Sequence, residues 1–209
     1  TKCDGDAIGC CVAMEEAIIA LGKEVQILFL SPLPSWYAFL LEHKVPVLGV
    51  DLSHKQLAAG GLDTFDLIII VDTNSFSQLP KFDKYLKESD IPVLVIDHHK
   101  TSDKLGDVEI VDSSAAAASC VVLDLFRFAH WPITTKIAQA LFAGITSHTG
   151  WLHFNNTDSR CYRYFSELIG AGAKPSLVYH SVFQSFSPQR LRLMTAMLNT
   201  LQLHFNALL

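Results

Sequence analysis

Two apolar runs in this chain, Leu67-Ile68-Ile69-Ile70-Val71 and Val93-Leu94-Val95-Ile96, each stop abruptly at an aspartate. The first continues as Asp72-Thr73-Asn74 and the second as Asp97-His98-His99. Short unbroken runs of branched residues are the signature of strands covered on both faces, as in the middle of a parallel sheet. Open α/β sheets bind ligands beyond the carboxyl ends of such strands. Two strands therefore deliver one carboxylate, and one carboxylate with two imidazoles, to the same rim. That is the beginning of a metal site.

Composition narrows the setting. Half of the 209 residues are hydrophobic and 18% are charged, which is ample material for a core and not the profile of a disordered chain. A net charge of -5 argues against a surface that grips duplex nucleic acid non-specifically, so any nucleic-acid substrate should be small or held locally. The five cysteines (Cys3, Cys10, Cys11, Cys120, Cys161) include no CxxC pair, which speaks against structural zinc or a redox motif and suits reduced thiols in the cytoplasm. No apolar run reaches the ~18 residues of a membrane span.

Read in order, Thr1 to Gly9 is expected as a loop entering a helix over Cys10 to Leu21. A βαβ unit needs a strand before that helix, so residues ahead of Thr1 are expected. Strands follow at Val25–Leu30 and Val45–Val50, with short helices at Trp36–Leu41 and Ser53–Ala59. The Leu67 strand, a helix over Phe82–Glu88 and the Val93 strand complete a series of βαβ units, hence a mainly parallel sheet flanked by helices. Asp107–Val111 reads as an edge strand. Helices are expected at Ala115–Phe128, Thr135–Ile145, Asp158–Ile169, Pro175–Phe183 and Pro188–Leu203. A polar break at Thr146–Gly150 separates the second from Trp151–Phe154. Residues 1–186 are expected to form the catalytic domain. Residues 187–209, ending at Leu203-His204-Phe205, read as a connector toward a further domain.

Three clusters can carry chemistry. In Asp4-Gly5-Asp6 the glycine allows a tight turn that aims both carboxylates at one point, and hard divalent cations seek such oxygens. Imidazole beside them adds affinity for manganese, iron or zinc. Taken singly, each cluster has an ordinary reading as well. Asp-Gly-Asp also describes a turn before an N-capped helix. Asp72 also fits a helix cap or a receiver-type phospho-acceptor, and His98-His99 a solvated pair. Their convergence on one sheet edge favours the metal reading.

Asp4-Gly5-Asp6-Ala7-Ile8-Gly9, Asp72-Thr73 and Asp97-His98-His99-Lys100-Thr101 resemble the first three motifs of the DHH phosphoesterases, and Gly144 to Thr157 resembles the fourth. Asp-Gly-Asp-Ala-Ile-Gly is similar to the branch that degrades very short RNA and 3'-phosphoadenosine 5'-phosphate (pAp). Family II pyrophosphatases usually carry a different first loop, whereas exonucleases and cyclic-dinucleotide phosphodiesterases are near relatives. The resemblance implies phosphoester hydrolysis with two divalent ions, typically Mn2+, with Mg2+, Co2+ or Zn2+ as substitutes. It assigns Asp4 to one ion, Asp6, His98 and His148 to the other, and Asp72 to both. Asp97 would support the histidines, and His99 would face the scissile phosphate. Asn155, Asn156 and Thr157 become substrate-side polar groups. Ions ~3.5–4 Å apart acidify a shared water and hold the attacking and leaving oxygens together. The implied partner is a short single-stranded oligonucleotide or small nucleotide, with no membrane and with a homodimer or a monomer left open.

Three departures accompany the resemblance. The family's first motif opens with a histidine that would precede Thr1. The fourth has aspartate where this chain has His148, and a glutamate after the third corresponds to Cys120. A non-hydrolysing member that binds nucleotide or a protein partner is therefore the alternative.

Overall fold

The computed structural model describes residues 3–185, 187–204 and 207–208. Helix α1, Gly5–Ala20, opens the described chain. A 3-10 turn at Ser35–Leu40 and the short helix α2, His54–Ala58, follow; α2 is held by a reciprocal capping box between Ser53 and Gln56. Strand β1, Ile68–Val71, helix α3, Phe82–Glu88, and strand β2, Val93–Asp97, come next, with β3 at Val108–Val111. Helices α4, Ala118–Phe128, α5, Thr135–His148, and α6, Ser159–Gly170, complete this unit, which reaches to Pro175.

The three strands form a parallel sheet in the order β1-β2-β3, as the alternation of apolar runs and helical segments requires. Successive side chains of β2 point to opposite faces. Val93 and Val95 join Ile70, Leu57, Phe82 and Leu86 in a cluster beneath α2 and α3. Ile96, fully buried, faces the other way, on the side where α4 packs against β2. Burying a side chain of this size contributes about 1.5–3 kcal/mol. Coverage on both faces is why β2 reads as an uninterrupted apolar run.

Helix α1 is packed most extensively against α5. Ile8, Val12 and Ala13 are essentially fully buried, so no clean polar stripe survives on this helix. The closeness depends on glycine. A Cβ on Gly9 would lie 2.5 Å from the Ala140 carbonyl oxygen.

Several sequence expectations are corrected. Helix α1 begins at Gly5 rather than Cys10, because Asp4 is its N-cap: the Asp4 carboxylate accepts from the Asp6 and Ala7 amides. The segments 25–30 and 45–50 do not form strands. They meet in one parallel bridge, Phe29 with Val47, made by Phe29 N–H donating to Pro46 O and Leu48 N–H to Phe29 O. Helix α5 runs on through His148, so the expected polar break begins only at Thr149. Helix α4 begins at Ala118 rather than Ala115.

The second compact unit begins at Ser176. Helix α7, Pro175–Tyr179, passes into a π-type turn at His180–Gln184. Helix α8, Pro188–Leu198, starts as expected, with Pro188 in its first turn and the Ser187 hydroxyl accepting from the Arg190 amide. It ends at Leu198, short of Leu203. Two-residue strands β4, Leu203–His204, and β5, Ala207–Leu208, pair antiparallel beyond it. Thr1, Lys2 and Phe205 lie outside the described residues.

Candidate metal centre

The carboxyl ends of β1 and β2 bring Asp72 and the Asp97-His98-His99 cluster together. Asp72 directly follows β1, and its amide extends the sheet by donating to Ile96 O at 3.0 Å. Its φ of 59° is left-handed, a conformation aspartate tolerates better than branched residues do. Asp97 ends β2 fully buried, and its Oδ1 lies 2.7 Å from His99 Nδ1. That contact engages Nδ1 of a ring that is 41% exposed and leaves Nε2 as its other nitrogen.

His98 is fixed from the loop ahead of α4. Its Nδ1 is 3.1 Å from the Ala115 carbonyl oxygen, which can only accept, so Nδ1 carries the proton and Nε2 presents a bare lone pair. That Nε2 is buried without a hydrogen bond, and so is Asp72 Oδ1. The two atoms face each other at 3.7 Å. Burial holds the His98 imidazole below its ordinary pKa despite the pull of Asp6, which keeps it neutral and able to ligate. Burial, reinforced by the carboxylates of Asp6, Asp4 and Asp97, pushes Asp72 up to about 10. A carboxyl held this far from its usual range marks a place where positive charge is wanted.

Asp6 enters from the first turn of α1 and is fully buried. Its Oδ2 accepts from the Ala118 amide at 2.7 Å; its Oδ1 accepts from the Ser119 amide at 2.9 Å and the Ser119 hydroxyl at 2.5 Å. Asp6 thus caps α4 across space, in place of Ala117, whose side chain has no oxygen. Sequence reasoning missed Ala118 and Ser119; the signal was a lone serine at a helix start otherwise made of alanine. Gly144 on α5 makes room for this arrangement, since a Cβ there would lie 2.0 Å from Ser119 Oγ.

His148, the last residue of α5, joins the same cluster. Its Nδ1 is 3.9 Å from both Asp4 Oδ2 and Asp6 Oδ2, and its ring meets His98 edge-on with centroids 4.6 Å apart. Its carbonyl accepts from the Asn156 amide at 3.1 Å, and the same amide donates to Ala116 O at 3.0 Å. Asn156 therefore ties the end of α5 to the loop that orients His98. The Thr157 hydroxyl is buried without a hydrogen bond, whereas Asn155 is exposed. Cys120, at the glutamate position of the resemblance, is buried, and a hydrogen bond with Cys161 pushes its thiol up.

Ligand atoms of Asp6, His98 and His148 lie within 4.8 Å of one another, and so do those of Asp72, His98 and His99. Two donors about 2.0–2.2 Å from a shared cation stand about 3–4 Å apart. The His98 Nε2–Asp72 Oδ1 and His148 Nδ1–Asp6 Oδ2 separations, 3.7 and 3.9 Å, match, and the first pair consists of two buried atoms without hydrogen bonds. The residues present fit divalent cations.

Residues 1–145 match the N-terminal domain of the DHH family. The chain belongs to the DHH family. Among curated relatives it is 30% identical over 208 residues to the bifunctional oligoribonuclease and PAP phosphatase NrnA of Thermus thermophilus, an alignment covering 99% of this chain and 58% of that protein. It is also 30% identical to NrnA of Bacillus subtilis over 122 residues, covering 57% of this chain and 38% of that protein. The chain thus spans under two thirds of the relatives it matches. In fold it is similar to an exopolyphosphatase-related protein from Bacteroides fragilis, with a TM-score of 0.89 at 22% identity, covering 97% of this chain and 60% of that one. Within this DHH domain the three characteristic residues differ in exposure: Asp97 is fully buried at the end of β2, His98 is nine-tenths buried and His99 has 41% of its side chain exposed.

Proposed function

We propose that this DHH domain is the catalytic part of a divalent-metal-dependent phosphoesterase that hydrolyses short oligonucleotides and pAp. The observation that carries the reading is the pair of orphaned buried atoms, Asp72 Oδ1 and His98 Nε2, set among four carboxylates. Asp4, Asp6, Asp72, His98 and His148 would hold a pair of cations, with Mn2+ the ion implied by the family resemblance. Such ions supply Lewis acidity and neutralise phosphate charge.

The chain's own groups do the rest. Ala115 O fixes the tautomer of His98, and the Ala118 and Ser119 amides hold Asp6 in place. His99, held by Asp97 through Nδ1 and partly exposed, is the group that faces the scissile phosphate and stabilises its developing charge or assists the leaving oxygen. Asn156 Oδ1 and Thr157 Oγ1 remain as polar groups on the substrate side. In this reading residues 1–186 are the catalytic domain and 187–209 the connector. The five free cysteines suit a cytoplasmic setting, and no helix among the described residues is long and apolar enough to cross a membrane.

The test is hydrolysis by the protein in its natural full length. With Mn2+ present, pAp should yield AMP and phosphate, and pApA should yield AMP. EDTA should abolish both reactions, and added Mn2+ should restore them. Failure to release either product with Mn2+, Mg2+, Co2+ and Zn2+ in turn would end the proposal.

A further inference from the structure

The three imidazoles of the site are unequal. His99 has its Nδ1 on Asp97 and 41% of its side chain exposed, so it belongs to the open side. His98 presents a bare Nε2, nine-tenths buried and without a hydrogen bond. His148 brings Nδ1 to the same cluster, 3.9 Å from both Asp4 and Asp6. Asp6 is the carboxylate most firmly fixed there, with hydrogen bonds from the Ala118 and Ser119 amides, the Ser119 hydroxyl and the Cys10 thiol. The donor set with the least freedom is therefore one carboxylate oxygen and two ring nitrogens, all within 4.8 Å.

Ligand type sorts the first-row divalent cations. Oxygen-rich sites with several waters suit Mg2+ and Mn2+, whereas imidazole favours Zn2+, Co2+ and Fe2+. Mg2+ in particular parts reluctantly with its waters and gains little from a ring nitrogen. Carboxylate at position 148 would make the set oxygen-dominated; imidazole makes it nitrogen-dominated.

Resting on the metal-centre reading above, we propose that His148 sets the cation preference of this domain. Together with His98 and Asp6 it forms an imidazole-rich position that favours borderline ions such as Zn2+ and Co2+ over Mg2+. The geometry further specifies the atoms: His98 ligates through Nε2 and His148 through Nδ1.

The experiment has two arms. Calorimetric titration of the natural protein and of His148→Asp with Zn2+ and with Mg2+ gives the ratio of the two affinities. The substitution should shrink the preference for Zn2+ at least tenfold. An unchanged ratio, with both metals still binding, overturns the proposal and leaves the metal centre standing. No metal binding at all to the natural protein removes the metal-centre reading, and this proposal with it. The second arm needs no variant. The 113Cd-loaded protein with 15N-labelled histidine should show cadmium coupling to one Nδ1, that of His148, and to Nε2 of His98. Coupling to His98 without His148 overturns the assignment even if the His148→Asp protein fails to fold.

Discussion

At the scale of single residues, the chain stores charge that it cannot balance alone. Asp72 is buried beside three other carboxylates, and its proton affinity is raised from the ordinary ~3.9 toward about 10. A carboxyl raised in the folded state stabilises the fold fully below its unfolded pKa, and that stability is lost as pH rises toward the folded value. The metal-free protein should therefore melt at progressively lower temperature between about pH 4 and pH 10. Asp72→Asn should flatten that slope and raise the metal-free melting temperature at pH 8 by several degrees, since ~1 kcal/mol moves a domain of this size about 2–4 °C. Saturating Mn2+ should flatten it too, in the natural protein only. Scanning calorimetry with chelator and with metal checks all three.

Gly144 is the second residue where a single atom decides. Its missing Cβ is the space that Ser119 Oγ occupies while donating to Asp6. Gly144→Ala should push Ser119 off Asp6, cost about 1–3 kcal/mol as overpacking does, and weaken metal binding as well. Thermal melting and metal titration should move together. A loss of stability with unchanged metal affinity would show that the Ser119 hydroxyl does not hold Asp6 in place.

At the scale of elements, the site depends on how three segments are tied: the start of α1, the loop ahead of α4 and the end of α5. Asn156 makes one of these ties, with its amide on Ala116 O and His148 O. Asn156→Asp keeps the shape but replaces both donors with acceptors facing two carbonyls. Metal affinity should fall about 10- to 100-fold, the usual cost of losing a group that orients ligands. Asn156→Gln, if it reaches the same carbonyls, should recover part of it. An affinity equal to the natural protein's in the Asp variant would show that this tie does not set the position of His148.

The same scale shows what was legible. Asp72 and Asp97-His98-His99 could be read in place because a strand covered on both faces announces itself as a short apolar run, and its end marks the rim. The sequence places Asp4-Gly5-Asp6 ahead of the helix, because aspartate and glycine favour turns. In fact Asp4 is the cap and Asp6 is already in the first turn. The segments 25–30 and 45–50 carry strand-like apolar residues, but a run becomes a strand only when a neighbour pairs along it. Among the described residues, 25–30 pairs at Phe29 alone, and 45–50 only at isolated positions, Val47 with Phe29 and Leu48 with Leu52. The continuation of α5 through His148 was hidden by its polar sequence, Thr146-Ser147-His148. Buried packing of Thr146 and the Thr149 hydroxyl donating to Ile145 O carry the helix through it. The trans cap of α4 by Asp6 joins residues over a hundred positions apart, which no local pattern contains.

At the scale of the whole molecule, the sheet and helices act as one device. They bring carboxylates from α1 and β1, an imidazole from beyond β2 and another from α5 to a single rim. Ile96 lies under that rim, fully buried, and Ile96→Ala should cost about 2–5 kcal/mol. In chemical denaturation its midpoint should fall while residual folded protein still binds metal, because the deleted atoms are in the support and not among the ligands. Diffraction from Mn2+-soaked crystals, recorded at the manganese absorption edge, locates the cations directly. Anomalous peaks are expected between Asp72 Oδ1 and His98 Nε2 and beside Asp6 and His148. An anomalous map with no peak within bonding distance of these residues would contradict a metal centre here.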